Sequence, residues 1–161
     1  LRRDRDLGRR EHGDFDFVKV VLDELGDMRW MQVAIKPAKP LAFGTVDGTP
    51  VFGLPGNPVS SMVSYELFAR PGLRRMAGHP EPVRAPVPAV AGEALGRRAD
   101  GKTHFQRVVS TIGDDGRVVV RSAGGQGSHM LHAMATADAL AVVPDGDGVP
   151  EGGAVDVLLL G

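Results

Sequence analysis

Residues 35–61, I-K-P-A-K-P-L-A-F-G-T-V-D-G-T-P-V-F-G-L-P-G-N-P-V-S-S, constrain the fold of this chain more than any other stretch. Pro37 and Pro40 stiffen the backbone around Lys36 and Lys39, and Pro37 cannot continue a strand ladder. Residues 41–46 and 50–54 read as strands around Asp47-Gly48, a strong two-residue hairpin signal. Asn57 then suits an N-cap, and Pro58 suits the first helical position, where its missing N–H costs nothing. A helix opened by such a turn presents unpaired N–H groups and positive macrodipole, so an oxyanion or phosphate is favoured there. Gly56 leaves room for a ligand to approach the backbone, and Lys36 and Lys39 can converge on one anion. Turn chemistry also accounts for Pro55, Gly56, Asn57 and Pro58 without any ligand, and the two readings stay open at this point. The Gly-Lys-Ser/Thr ending of a P-loop is absent.

Elsewhere the chain is turn-rich. With 22 Gly, 12 Pro and 5% aromatic residues, short strands are favoured over a helical bundle, and 42% hydrophobic residues suffice for a packed core. A net charge of -1 gives no electrostatic case for attraction to nucleic acid or membranes. The absence of Cys excludes disulfides, thiolate metal sites and a Cys nucleophile, and it suits a cytoplasmic protein. No apolar run approaches the roughly 20 residues of a membrane span.

Phe15, Val18, Val21, Leu22 and Leu25 fall at helical spacing, with Asp14 or Asp16 as cap and Gly26 as C-cap glycine. Residues 29–36 read as one strand. The helix opened by Asn57 buries Val59, Met62, Val63, Leu67 and Phe68, and Pro71-Gly72 is expected to kink or break it. The proline-rich stretch 78–88 reads as a connector, which places domain boundaries at 1–82 and 83–161. Beyond it, residues 103–112 and 117–122 form a hairpin around G-D-D-G. Residues 128–135 suit a short helix capped by Ser128, and residues 140–143 and 154–160 are apolar strands. Such short strands suggest a small barrel or sandwich.

Side-chain chemistry is limited. Asp14 and Asp16 can offer oxygen ligands to Mg²⁺ beside a phosphate, or simply cap the helix. His129 and His132 have a permissible metal spacing but lack a third ligand, and His79 and His104 read as surface residues. Ser60, Ser61 and Ser128 lack a G-x-S-x-G setting, so a hydrolase triad is not supported.

The segments D-F-D-F-V-K-V-V-L-D-E-L-G, I-K-P-A-K-P-L-A-F-G and V-F-G-L-P-G-N-P-V-S-S, followed by T-H-F-Q-R and G-G-Q-G-S-H, resemble the C-terminal half of the molybdopterin molybdenumtransferase (MoeA) family, which includes the C-terminal part of gephyrin. The resemblance implies an α/β fold: part of a three-layer MogA-like molybdopterin-binding domain, then a small C-terminal β-barrel domain. It also implies insertion of molybdenum from molybdate into adenylylated molybdopterin, with release of AMP and a requirement for Mg²⁺. Carried over by motif, Asp16 matches the acid of the metal and substrate site, with Asp14 beside it. Lys36 and Lys39 match the K-P-x-K-P lysines. Pro55, Gly56, Asn57, Pro58 and Ser60 match the turn and helix start lining the molybdate and pterin pocket. Arg107 and Ser128 match barrel positions that face the partner's pocket in the family's dimer. Gln32 stands where relatives often carry a basic residue, a loss for which Arg29 can compensate. The implied assembly is a homodimer built by N-terminal domains this chain lacks, with a MogA-type adenylyltransferase as a further partner. Lacking those domains, the fragment is expected to be inactive alone. Two other classes are compatible: a non-catalytic scaffold of gephyrin type, and a generic phosphate-binding α/β domain.

Residues 1–12 depart from the family, whose members carry D-V-I-V-T-S-G-G-V-S-M-G before the Asp14 region. Asp6 to Gly13 can be encoded GAC-CTC-GGG-CGG-CGT-GAG-CAT-GGC, which one base later reads ACC-TCG-GGC-GGC-GTG-AGC-ATG, or T-S-G-G-V-S-M. The segment is therefore expected to be an out-of-frame reading of the family's strand and loop. The nucleotide sequence is predicted to yield that motif in the next frame, and codons that do not yield it end the idea.

Overall fold

The computed structural model describes residues 15–127 and 130–161, the side chains of Phe15 and Asp16 excepted. Helix α1 (Phe15–Leu25) runs directly into β1 (Gly26–Gln32). Gly26 is therefore no C-cap; it is the first residue of β1, where an added Cβ would lie 2.1 Å from the Thr45 carbonyl oxygen. The close approach of the neighbouring strand demands the glycine. The expected apolar stripe of α1 is not buried: Val18, Val21 and Leu25 are exposed, and only Leu22 is half-buried. The reason is geometric, because among the described elements α1 packs chiefly on β1 alone.

The single strand expected over 29–36 is two. β1 pairs antiparallel with β3 (Pro40–Val46), whereas β2 (Ile35–Lys36) turns away to the barrel. The hairpin is as expected: β3 pairs with β4 (Thr49–Gly53) through Asp47 at φ 49° and Gly48 at φ 76°. Both central residues are left-handed, as a type I′ turn requires. Asn57 caps α2 (Pro58–Ser64), its side chain accepting from Ser60 N. Pro71-Gly72 does not break the helical run. A π-helical turn (Tyr65–Ala69) leads into α3 (Arg70–Met76), with Arg70 N–H donating to Tyr65 O. The wider turn just before Pro71 lets the chain stay helical where an α-helical carbonyl would meet the ring.

The second half is a closed barrel and not a sandwich. Strands β5 (Val87–Ala91), β7 (Thr103–Ile112), β8 (Val118–Ser122), β9 (Ala139–Val143) and β11 (Ala154–Leu159) run in the order β7-β8-β5-β11-β9, and β9 closes back on β7. Two short strands, β6 (Leu95–Gly96) and β10 (Gly148–Val149), pair with each other. β5 lies partly inside the proline-rich connector. Pro88 is tolerated because it precedes Ala89, where pairing to β8 begins. Helix α4 (Leu131–Thr136) is shorter than expected and has Met130 at its N-cap; Ser128 lies outside the described residues.

Alternation on the strands divides the apolar side chains into two sets. Ala139, Ala141 and Val143 of β9 point into the barrel with Val108, Val120, Val155 and Val157. Leu140 points outward and joins Val59 and Val63 of α2 and Met134 of α4 in a second cluster. That cluster and the β2–β7 pairing dock the first half on the barrel. Among the described residues no helix is long and apolar enough to cross a membrane.

Candidate anion-binding site

Lys36, at the end of β2, is the parallel register partner of His104 on β7. The chain then reverses through the cis Lys36–Pro37 peptide and Ala38 at φ 83°, and Val33 N–H donates to Lys39 O at 2.8 Å. The reversal leaves both lysine side chains exposed and brings them to the rim of one cleft of about 980 Å³. Ser60 lines the same cleft, whose barrel wall includes Arg97, Arg98, Asp100, His104, Gln106 and Gln126. Four of the charged residues lining the cleft, Lys36, Lys39, Arg97 and Arg98, are cations, against the single carboxylate of Asp100. Such a surface favours an anionic ligand.

The barrel wall is rigidly tied. Arg97, with a side chain 1% exposed, bonds Asp100 at 2.7 Å and Asp145 at 2.6 Å. Its other guanidinium nitrogen donates to the carbonyls of Lys102, Val143 and Pro144. Asp145 in turn accepts from the backbone N–H groups of Asp100 and Gly101. His104 is not a surface residue as its sequence setting suggested. It is 8% exposed, because β2 covers the end of β7. Its Nε2 lies 3.2 Å from both Asp100 oxygens. Burial pushes the His104 imidazole below its ordinary range against the pull of Asp100, with Arg97 and Lys36 adding to the lowering. Partial desolvation raises Asp100, but hydrogen bonds from His104 and Lys102 outweigh it and hold the carboxyl down to about 2.

The structure brings some of the expected site residues together and leaves others apart. Lys36, Lys39 and Ser60 share the cleft; Pro55, Gly56, Asn57 and Pro58 are not among its lining residues. An added Cβ at Gly56 would meet no protein atom within 4 Å, so internal packing does not demand glycine there. Arg107 is fully buried under the following loop, donating to the carbonyls of Gly125 and Gly127, while its backbone N–H donates to Gln126 Oε1. Gln32 and Arg29 lie on β1 and do not line the cleft. Asp14, Ser128 and the side chain of Asp16 lie outside the described residues, as does His129; His132 and His79 are exposed. Arg97, Asp100 and Asp145 gave no sequence signal, since Arg97 and Asp145 are 48 residues apart and meet only through barrel closure.

Fold and cleft define a class: an α/β unit joined to a closed barrel, with a lysine-lined cleft where they meet. The family described as the MoeA C-terminal region (domain IV) matches residues 92–160, and the probable molybdopterin binding domain matches residues 12–75. A molybdopterin molybdenumtransferase of Haemophilus influenzae is 36% identical over 132 residues, covering 81% of this chain and 32% of the relative. Gephyrin of Dictyostelium discoideum is 31% identical over 172 residues, covering 92% and 24%. A crystal structure of the molybdopterin biosynthesis MoeA protein from Pyrococcus horikosii superposes with a TM-score of 0.69 at 27% identity, covering 91% of this chain and 35% of that one. The chain belongs to the C-terminal portion of the MoeA–gephyrin family. It spans about a third of the length of the H. influenzae relative.

Proposed function

We propose that the chain supplies the oxyanion-binding part of an enzyme that inserts molybdenum from molybdate into adenylylated molybdopterin, with release of AMP. The observation that carries this reading is the cleft, which Lys36, Lys39 and Arg98 line as cations while the buried Arg97 is paired with Asp100 and Asp145. Its volume of about 980 Å³ admits a ligand the size of a nucleotide-linked pterin. In this reading the two ammonium groups hold the oxyanion and stabilise charge that develops as AMP departs. Ser60 and the Pro55, Gly56, Asn57 and Pro58 turn belong to the pterin side, and Arg107 and Ser128 to the barrel side. Asp14 and Asp16 offer the hard oxygen donors that Mg²⁺ takes, and the ion would neutralise phosphate charge there. Among the described residues no group of three His, Cys, Asp or Glu is placed to hold a metal. The assembly is a homodimer through domains outside this chain, supplied by a MogA-type adenylyltransferase in the cytoplasm. We further place the domain boundary at 82/83, between the two family matches, and read residues 1–12 as out of frame, a stretch of which residues 1–11 lie outside the molybdopterin-binding match.

The test is molybdate-dependent release of AMP from adenylylated molybdopterin, with the chain alone and with the N-terminal domains of a relative supplied. Release is expected in the second case and is abolished by Lys36→Ala and by Asp16→Ala. Absence of turnover in both cases sinks the enzymatic reading and leaves a non-catalytic module.

A further inference from the structure

The Asp100–His104 pair lines the same cleft as Lys36 and Lys39 and is not used in the reading above. His104 is the register partner of Lys36 in a parallel pair, so both side chains leave the sheet on the same face. Asp100, ionised, can only accept hydrogen bonds. Its two oxygens therefore place the imidazole proton on Nε2, and Nδ1 makes no hydrogen bond to any described residue. Asp100 is itself held by Arg97 and by Lys102 at 3.3 Å, and Asp145 fixes the loop that carries it. An imidazole so oriented can take up a second proton without moving.

We propose that His104 is a ligand-facing residue of the cleft which, when protonated, adds a third positive charge to Lys36 and Lys39 and makes oxyanion binding stronger in acid. The inference rests on the anion-site reading and adds to it a specific side chain and a pH dependence. The charged groups facing His104 are Lys36 from β2, and Arg97, Asp100 and Lys102 from the loop before β7, while Lys39 and Arg98 lie on the same cleft. Protonation changes the charge of this set by one whatever the state of the others. Asp100 stays ionised throughout, because its partners hold it far below the range in which His104 titrates.

The sign of the stability effect is opposite, which separates the two. A histidine whose protonation is disfavoured by folding lets the unfolded chain bind the proton first. Stability is then fully present above the ordinary imidazole value of 6.5 and is lost as pH falls below it. Acid loosening of the fold therefore weakens binding and cannot imitate the predicted gain.

Sulfate is the suitable probe, being a tetrahedral dianion that does not titrate between pH 8 and 5. By calorimetry at low ionic strength, its affinity for the chain is expected to rise on the order of threefold from pH 8 to pH 5. His104→Gln, which keeps a donor for Asp100 but cannot titrate, should bind with a flat profile. The reciprocal effect is read on the unaltered chain by NMR. Saturating sulfate should raise the His104 pKa by about 0.5, the logarithm of the same threefold coupling. A flat profile, a His104 pKa indifferent to sulfate, or an acid gain that survives in His104→Gln overturns the inference. If sulfate binding is lost in Lys36→Ala while the profile is flat, the anion site stands and only the role of His104 falls. If no sulfate binds at any pH, both fall.

Discussion

Replacing both lysines of the corner, Lys36→Ala together with Lys39→Ala, is expected to weaken molybdate binding by about a hundredfold at pH 8 while leaving the fold intact. Each ammonium group supplies a charge-assisted contact worth about 1.5 kcal/mol, and a loss of about 3 kcal/mol corresponds to roughly that factor. Both side chains are exposed, and exposed substitutions of this kind change stability by no more than about 0.5 kcal/mol. For two such substitutions the thermal midpoint should therefore stay within about 3 °C of the parent. Calorimetric titration with molybdate at two salt concentrations reads the effect. The parent should lose affinity with salt and the double variant should lose much less, because screening acts on charges that are no longer there. A double variant binding within threefold of the parent would mean that the oxyanion sits elsewhere. The single variants then apportion the loss; similar losses mean that both ammonium groups reach one anion, and unequal ones that Lys36, on the side of His104, is the principal contact.

How far the site could be read in the sequence depended on how local each signal was. Asn57-Pro58 and Asp47-Gly48 act within their own turns, and both formed as their chemistry dictates. Lys36 and Lys39 are three apart, and one proline-bound reversal was enough to bring them to a common cleft. The opposite wall was not legible. Arg97 and Asp145 come together only when β9 closes on β7, and His104 becomes buried only because β2 leaves the first sheet to join the barrel. No local pattern announces that Ile35 and Lys36 abandon the neighbours of β1. The periodicity of α1 was also real, yet Val18, Val21 and Leu25 of its apolar stripe are exposed. Periodicity predicts that a face will be buried but does not name what buries it. Motif resemblance carried the family further than residue physics did, since an anion corner of two lysines and a turn does not by itself identify the anion.

Leu140→Ala should be the most damaging single core substitution, with an expected loss of about 3 kcal/mol. Leu140 is fully buried, and it belongs to the cluster outside the barrel and not to the barrel's own core. Its outward side chain meets Val59 and Val63 of α2 and Met134 of α4, with Leu67, Phe105, Leu158 and Leu160 around them. Truncation removes the transfer energy of the lost methyl groups and leaves a cavity, which in well-packed sites costs about 2–5 kcal/mol. The site cannot collapse easily, because its walls belong to α2, the π-helical turn, α4, β7 and β11, and β9 is paired on both sides. For a chain of this length each kcal/mol lowers the melting midpoint by about 3 °C, so a fall of roughly 9 °C is expected in a calorimetric scan. The position of the loss matters as much as its size. The interior positions of β9 are Ala139, Ala141 and Val143, and of these Val143→Ala serves as the control. It removes less volume and should destabilise the barrel without touching α2. Leu140→Ala should instead release α2 from the barrel, so that amide exchange accelerates over residues 58–64 before it does in β7 or β8. Because Ser60 is carried by α2 while Lys36 is carried by β2, the same variant should weaken molybdate binding although Leu140 does not line the cleft. Equal loss of protection across α2 and the barrel would show that the two halves melt as one unit, and unchanged binding would show that the corner is held by the β2–β7 pairing alone.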